Sequence, residues 1–518
     1  MANHTDPGDS SADRPAAGDW RDGLPPETDR AALPPASGAI RHDSRVVEAG
    51  DVFVCIEGER ADGHRFAGAA VQAGAAALVA SRGRASELAG LDVPVVEVSD
   101  SRRALSSIAA AREGYPARRL TVVGITGTNG KSTTAYLTGA ALEGAGARSG
   151  VLTTLGSRID GVDVPNPTRL TTQEAPIVQR RLAEMVAAGC THAVVEATSH
   201  GLELLRVADC GFDIAVLTNL TPDHLDFHGT FEAYRAAKTR LFEMLDESGE
   251  KAAERMVDRV AVLNAACEDW QHFAAATEAP ALLYGDVKEA DMWTKDIVLW
   301  PDGSTFAVTA TGESVEASVR LPGEFNVENA TAALATAWAL DLDVDGAAAG
   351  VAGCEGVPGR MQRIGGAPFD VVVDYAHTAD AMERVLTTLG EVVEGRMIVV
   401  FGCAGEQSLD RRAGIAGVVA RLAAYAVLTE EDPRSEDPEA IIDEIARALI
   451  AGAAAEGERF ERVPDRRDAI DRAFAIAEPG DLVLLAGKGH ESTIERAGGP
   501  TPWDEAGAAR QSIAARFG

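Results

Sequence analysis

The run from Val122 to Thr134 reads Val-Val-Gly-Ile-Thr-Gly-Thr-Asn-Gly-Lys-Ser-Thr-Thr. It is a short apolar strand, a glycine-rich turn and the start of a helix, and it predicts a phosphate cradle. Glycines at 124, 127 and 130 allow backbone N–H groups to approach an oxyanion closely. Lys131 brings a point charge to the β- and γ-phosphates, and Ser132 offers a hydroxyl to Mg²⁺. The strict pattern G-x-x-x-x-G-K-[ST] wants glycine where Ile125 stands, so the loop alone predicts only that some triphosphate is bound. An apolar strand before it and the helical continuation Ala135-Tyr136-Leu137 place it in a parallel α/β sheet.

A chain of 518 residues with 46% hydrophobic content is too long for one core and divides into about three or four domains. No apolar run approaches the roughly 20 uncharged residues needed to cross a bilayer. The first 35 residues lack the basic-then-apolar order of a signal peptide, so the expectation is a cytoplasmic protein. The six cysteines are scattered without a C-x-x-C pair, which suggests neither a zinc site nor a disulfide framework. A net charge of −32 argues against nonspecific binding to nucleic acid or an anionic membrane. Lysines are scarce: Lys131, Lys238, Lys251, Lys288, Lys295 and Lys488 are all there are, so a lysine kept inside a motif draws notice.

In chain order, residues 1 to about 36 are rich in Asp, Pro, Ser and Gly and are expected to form a disordered tail. Residues 37–117 alternate short apolar runs with helical patterns, a small α/β unit. Within it, Asp43-Ser44-Arg45 and Ala61-Asp62-Gly63-His64 are polar turn clusters that spacing alone reads as ordinary turn chemistry. The block 118–356 carries the strands Ala193–Glu196, Ile214–Thr218 and Val260–Leu263 around the phosphate loop. The block 357–518 repeats the β/α alternation, with strands ending at Asp374, Phe401, Thr429 and Leu485. Ligands of such sheets gather at the carboxyl ends of the strands, which puts Glu196 and Thr218-Asn219 on the same edge as Lys131.

Glu196-Ala197-Thr198-Ser199-His200 closes a strand where a carboxylate can hold Mg²⁺ against bound phosphates. The run from Asn219 to His228 crowds His224, His228, Asp223 and Asp226 into six residues, which is seldom a packing device. Together with Thr126-Gly127-Thr128-Asn129-Gly130-Lys131-Ser132, Asp223-His224-Leu225-Asp226-Phe227-His228-Gly229 and the run Leu321 to Ala330, these stretches resemble the Mur ligases. Those are ATP-dependent enzymes that join amino acids to the nucleotide precursor of peptidoglycan. The resemblance spans nearly everything after residue 38, and within the family it is greatest to the MurE-type branch, the tripeptide synthetases.

The resemblance implies an α/β, three-domain Mur ligase architecture with a central P-loop parallel-sheet domain and a C-terminal Rossmann-like domain. It implies ATP and Mg²⁺ as cofactors, with Gly127, Thr128, Asn129, Gly130, Lys131, Ser132 and Thr133 around the phosphates. Ser132, Glu196, His224 and a carbamylated Lys238 would hold the metal. Asn329 would contact adenine, and Arg360, Asp374 and His377 would close over ATP. Ser44, Arg45 and His64 would grip the uridine nucleotide, with Thr171, Thr172, Ser199 and Arg206 around the muramoyl-peptide. The expected reaction activates a substrate carboxylate as an acyl-phosphate, which an incoming amine then captures; the catalytic set is Lys131, Glu196, His224 and Lys238. The partners are UDP-N-acetylmuramoyl-dipeptide and an amino acid, with no nucleic acid and no membrane, and the chain is expected to be a monomer.

The resemblance also has departures. The turn expected to read Asp-Asn-Pro-Arg is Glu431-Asp432-Pro433-Arg434, which sets an anion beside the arginine that would clamp a carboxylate. Gly487 and Glu491 retain the glycine and the glutamate expected to face a distal ammonium. Gln407 replaces an arginine, Ala413 a proline, and Gln173 and Ala379 also stand where proline is usual. The first expectation for the amine is meso-diaminopimelate and the second is L-lysine. Two other readings stand beside it: a Mur-like amide ligase diverted to another acceptor or pathway, and a non-catalytic nucleotide-binding protein.

Overall fold

The computed structural model describes residues 18–35, 37–58, 61–166, 168, 170–247, 251–300 and 302–518. They form two compact units. One holds the described residues up to Thr294 with Val308–Val315 and Glu328–Val351; the other holds Lys295–Ala307, Glu316–Val327 and Ala352–Gly518.

In the first unit, strands Ile40–Arg41, Val52–Val54, Ala77–Ser81 and Val95–Val98 make a four-stranded parallel sheet in chain order. The run Val52-Phe53-Val54 is wholly buried on both faces, as a central parallel strand requires. The second sheet of this unit is built around Thr121–Thr126, every residue of which is buried. It pairs in parallel with His192–Glu196 on one side and Ile214–Leu217 on the other. Ser149–Thr153 extends the parallel array beyond the first, and Val260–Asn264 and Ala281–Gly285 beyond the second. The strand at the phosphate loop is therefore interior, and its carboxyl end opens between two neighbours, which is where such sheets bind ligands.

The second unit is built on a six-stranded sheet in the order Gln362–Arg363, Asp370–Asp374, Leu482–Ala486, Met397–Phe401, Tyr425–Leu428 and Phe460–Arg462. Only the first pairing is antiparallel. The order reverses between Asp370–Asp374 and Met397–Phe401, whose common neighbour Leu482–Ala486 ends at the glycine-rich turn carrying Gly487 to Glu491.

The expected disordered tail needs correction. Residues 1–17 and 36 lie outside the described residues, but 18–35 are ordered by a large apolar anchor. Trp20 is fully buried and packs with Leu24, Leu33, Ile40, Val52 and Ile108 in one core cluster, and its indole N–H donates to the Pro34 carbonyl at 3.1 Å. The Arg21 guanidinium holds the Leu33 carbonyl at 3.0 Å. One tryptophan in a polar, proline-rich stretch gives no periodicity to read, yet it buries enough surface to fix the segment. Trp20→Ala is expected to destabilise this unit by about 3–5 kcal/mol, read as a lowered first transition in calorimetry. An unchanged thermogram would show that the segment contributes nothing to the fold.

Candidate active site

The phosphate loop is braced by the end of the neighbouring strand. Thr218 Oγ1 donates to the Asn129 carbonyl at 2.7 Å, Asn219 Nδ2 donates to the same carbonyl at 3.1 Å, and Asn219 Oδ1 accepts from the Asn129 amide at 2.9 Å. Thr128 Oγ1 lies 3.0 Å from the Tyr234 hydroxyl and donates to the Thr221 carbonyl at 3.0 Å. Gly130 has φ +82° and caps the helix Lys131–Gly144 with no side-chain bond to the first-turn amides. A Cβ there would stand 2.4 Å from Asn329 Oδ1, so glycine is required by conformation and by space. The first turn of that helix, with Ser132 and Thr133 buried in it, therefore offers its N–H groups and positive dipole end to an anion.

Two ammonium groups converge on this loop. Lys131 Nζ donates to the carbonyls of Gly127 and Thr128 at 3.1 and 2.9 Å. Lys238, on the helix Phe231–Glu247, is buried and donates to the Gly127 carbonyl at 2.6 Å, with the Tyr234 ring 4.6 Å from Nζ. Burial, together with the nearby Lys131 charge, pushes the Lys238 ammonium well below its ordinary pKa and favours the neutral amine.

Glu196 is buried and organises the other side. Its Oε2 accepts from Ser132 Oγ at 2.8 Å, from the Thr154 amide at 3.0 Å and from Thr154 Oγ1 at 3.2 Å. The parallel register that sets Glu196 opposite Ile125 produces this meeting. His224 has φ +52° and a half-exposed ring 3.5 Å from Asp223 Oδ2, with the His200 ring 4.9 Å away, edge-on. Burial lowers the imidazolium pKa of His224 and takes His200 down to about 4, so both rings are neutral at neutral pH and can act as ligands. Asn329 packs on the loop itself, its Oδ1 accepting from Thr134 Oγ1 at 3.1 Å.

A second polar group lies at the end of the same strand. Thr172 Oγ1 is bonded to Thr198 Oγ1 at 2.9 Å and to the Glu196 carbonyl at 3.2 Å, with Thr171 beside it. Arg206 donates to the Thr172 carbonyl at 3.1 Å and pairs with Glu174 at 2.8 Å. Ser199 Oγ and Arg206 Nε are buried with no partner among the described residues, as is usual of groups awaiting a ligand or water. His42, next to Asp43 and Ser44 in the first sheet's turn, is held neutral by burial while feeling Glu174 and Arg206, so the first turn and this group share one neighbourhood. Arg45 is forked onto Asp43 and largely exposed. His64 is buried, with Nδ1 2.7 Å from Asp62 Oδ1 and Nε2 accepting from the Ser81 amide at 3.2 Å. Both ring nitrogens are engaged within the turn.

In the second unit, Asp374 is buried; its Oδ2 accepts from the Met361 amide at 2.7 Å and its Oδ1 from the Ala376 amide at 2.8 Å. Arg360 lies over the Tyr375 ring at 4.6 Å, and His377 Nδ1 sits 2.7 Å from the Tyr375 carbonyl. These three residues thus cluster at one strand end.

The expected amino-acid pocket also differs from expectation. Arg434 has φ +55°, is partly exposed, and donates to the Gly405 carbonyl at 3.2 Å. Asp432 does not stand beside it as a free anion. It is buried, and its Oδ1 accepts from Lys488 Nζ at 2.8 Å and from the Glu495 amide at 2.8 Å. Glu491 Oε2 takes the same ammonium at 2.5 Å. Lys488, Thr154 and the loop-bracing role of Thr218-Asn219 carry no catalytic signature in sequence. The scarcity of lysine was the signal that could have singled out Lys488.

An interior P-loop strand, a helix hydroxyl paired with the carboxylate that ends the neighbouring strand, and a buried lysine on another helix that donates to the loop define a nucleotide-dependent group-transfer enzyme. Residues 38–113, 125–337 and 359–489 match the Mur ligase catalytic domain, the Mur ligase middle domain and the Mur ligase glutamate ligase domain. The chain is 44% identical to the UDP-N-acetylmuramyl-tripeptide synthetase of Roseiflexus sp. (strain RS-1), covering 93% of this chain and 96% of that one. It is 38% identical to the UDP-N-acetylmuramoyl-L-alanyl-D-glutamate–2,6-diaminopimelate ligase of Bacillus licheniformis, covering 92% and 94%. A solved structure of a ligase of that second name superposes with a TM-score of 0.65 at 31% identity, over 97% of this chain and all of the other. The chain belongs to the Mur ligase family, whose members are ATP-dependent, ADP-forming ligases. No helix among the described residues is long and apolar enough to cross a membrane.

Glu431, beside Asp432, gives a pH-dependent test of this pocket. Burial pushes its carboxyl up to about 7 against the pull of Lys488 and Arg466, and a Cβ on Gly487, at φ +102°, would lie 2.9 Å from its Oε2. A carboxyl whose pKa rises on folding destabilises the fold as pH climbs: the cost is absent below the ordinary value of 4.5, grows toward about 7 and is full above it. Glu431→Gln is therefore expected to stabilise this unit at pH 8 by up to about 3 kcal/mol and to do nothing at pH 4. Equal effects at both pH values in calorimetry would refute the assignment.

Proposed function

We propose that the protein adds a diamino acid to UDP-N-acetylmuramoyl-L-alanyl-D-glutamate in peptidoglycan precursor synthesis, with meso-diaminopimelate the first candidate and L-lysine the second. The observation that carries the reading is the meeting of Ser132 Oγ and Glu196 Oε2 at 2.8 Å beside a loop on which Lys131 and Lys238 both converge. It is the arrangement needed to polarise a transferring phosphoryl group. In this reading residues 37–117 hold the uridine nucleotide, 118–356 hold ATP and 357–518 hold the amino acid, and the protein acts as a cytoplasmic monomer.

The donors suit Mg²⁺, a hard cation that takes few protein oxygens beside water and phosphate. Ser132 and Glu196 supply a hydroxyl and a carboxylate that already touch, while Lys238 donates to the loop at Gly127 and His224 is within electrostatic reach of Lys131 and Lys238. Bound there, Mg²⁺ would neutralise the charge developing on the γ-phosphoryl group. Lys238 is carbamylated in this proposal: a buried lysine biased to its neutral amine is the form that adds carbon dioxide, the N–C bond forming as one proton leaves the nitrogen, so that a neutral amine becomes an anionic carbamate.

Within the chain's own residues the sequence of events is short. The first-turn amides of Lys131–Gly144 and the Lys131 ammonium orient the phosphates. Thr172, Ser199 and Arg206 position the muramoyl-peptide so that its terminal carboxylate attacks in line. Water must be kept from the acyl-phosphate until the amine captures it. Arg434 and Glu491 take opposite charges of the incoming amino acid. Gln407, in place of an arginine, and Asp432, in place of an amide, favour a second reading in which the same chemistry serves another amine.

Two measurements test these readings. ADP release is expected only when both UDP-N-acetylmuramoyl-L-alanyl-D-glutamate and an amino acid are present, and product mass across an amino-acid panel identifies the amine. Release with neither acceptor nor amine dependence would defeat the ligase reading. Lys238→Ala is expected to abolish turnover, with no recovery in high bicarbonate and partial recovery with a short-chain carboxylate. A fully active alanine variant at ordinary Mg²⁺ would sink the carbamate.

A further inference from the structure

In the first unit, the antiparallel strands Gly156–Ile159 and Val162–Pro165 join at Asp160-Gly161, where φ is +50° and +78°. An aspartate–glycine pair with positive φ at both residues is the two-residue turn that fixes hairpin register. That register sets Gly156 opposite Pro165, so the next residue, Asn166, returns beside Thr154 and donates from Nδ2 to its carbonyl at 3.1 Å. Thr154 follows the strand Ser149–Thr153, whose parallel pairing sets Leu152 opposite Val195. It therefore comes level with the end of the strand that carries Glu196. Three donors then meet on one oxygen of the buried Glu196: Ser132 Oγ at 2.8 Å, the Thr154 amide at 3.0 Å and Thr154 Oγ1 at 3.2 Å, all on Oε2. No hydrogen bond reaches Oε1 among the described residues.

Asn166 is itself locked in orientation. Its Nδ2 faces two carbonyls, those of Thr154 and Leu170 at 3.1 and 2.9 Å, and its Oδ1 accepts from the Thr168 amide at 2.9 Å and from Gln173 Nε2 at 2.8 Å. Exchanging the amide's oxygen and nitrogen would set acceptor against acceptor and donor against donor. Gln173, buried where proline is usual, adds a donor to Asn166 that a proline could not supply. We infer that Thr154 is a positioning residue for Glu196 and Asn166 a positioning residue for Thr154: together they hold the carboxylate by Oε2 so that Oε1 alone is offered to a divalent cation. Ser132 can serve both the carboxylate and the cation, because a hydroxyl has one proton to donate and two lone pairs to share. Side chains that orient a metal ligand in this way commonly set metal affinity by roughly ten- to hundredfold. The assignment rests on the reading of Glu196 as a Mg²⁺ ligand.

The test is equilibrium binding of a non-hydrolysable ATP analogue to the full-length protein by titration calorimetry, with Mg²⁺ varied and neither acceptor nor amino acid present. Thr154→Val keeps the shape of the side chain and deletes its hydroxyl. It is expected to raise the Mg²⁺ concentration at half-saturation about tenfold while Mg²⁺-free binding of the analogue stays within about twofold. Thr154→Ser keeps the hydroxyl and is expected to remain within about twofold of the unmodified protein in its Mg²⁺ dependence. Asn166→Asp sets a carboxylate oxygen against the Thr154 and Leu170 carbonyls and is expected to follow Thr154→Val. A role confined to packing predicts the reverse order, since serine removes a methyl group and valine removes none. That order, or an unchanged Mg²⁺ dependence in Thr154→Val, overturns the inference. Analogue binding to the unmodified protein that is indifferent to Mg²⁺ would instead overturn the metal reading of Glu196, and this assignment with it.

Discussion

The structure of the nucleotide site depends on the register of one buried strand. Thr121–Thr126 lies between two parallel neighbours, with Ile125 opposite Glu196 on one side and Thr126 opposite Leu217 on the other. A slip of one residue would turn alternate side chains to the other face and separate Ser132 from Glu196. It would equally separate Asn129 from Thr218-Asn219. The far end of the strand is tied down by charge: the Val122 amide donates to Asp213 Oδ2 at 2.7 Å, and Lys251 holds that same oxygen at 2.8 Å while donating to the carbonyls of Ala117 and Leu120. Asp213 and Lys251 thus set the register from the opposite edge of the sheet, away from any phosphate.

The two units use buried lysines in contrasting ways. Lys238 has a backbone carbonyl as its hydrogen-bond acceptor among the described residues, and burial beside Lys131 lowers its pKa. Lys488 is equally buried but lies in direct contact with two carboxylates. One environment leaves a lysine chemically adaptable; the other engages it in two ion pairs. The difference is set by what lies within hydrogen-bond reach of each Nζ, because a buried charge is governed by its first neighbours.

Much of this was legible along the chain. The strand–turn–helix at 121–134, the strand-end positions of Glu196 and Asp374 and the β/α alternation of the second unit follow from apolar runs and glycine placement, which are local properties. The ordered segment around Trp20 was not legible, because a single aromatic residue leaves no period and its stabilisation comes from a core assembled by residues up to Ile108. Spacing alone reads the turn of His64 as ordinary turn chemistry, and only the family resemblance points to it as a nucleotide contact. Only the fold shows that Asp62 and the Ser81 amide occupy its two nitrogens.

The sequence by itself determined which strands form, where each glycine-rich turn falls and which ionisable side chains stand at strand ends, because those depend on neighbours a few residues apart. Tertiary structure alone decided what each charge meets. Ser132 reaches Glu196 across 64 residues and Lys488 reaches Asp432 across 56. Whether Asp432 is a free anion at a substrate pocket or the buried anchor of a lysine bridge depends on separations of about 3 Å that only folding fixes. Coulombic and hydrogen-bond energies at that range outweigh anything composition or spacing conveys.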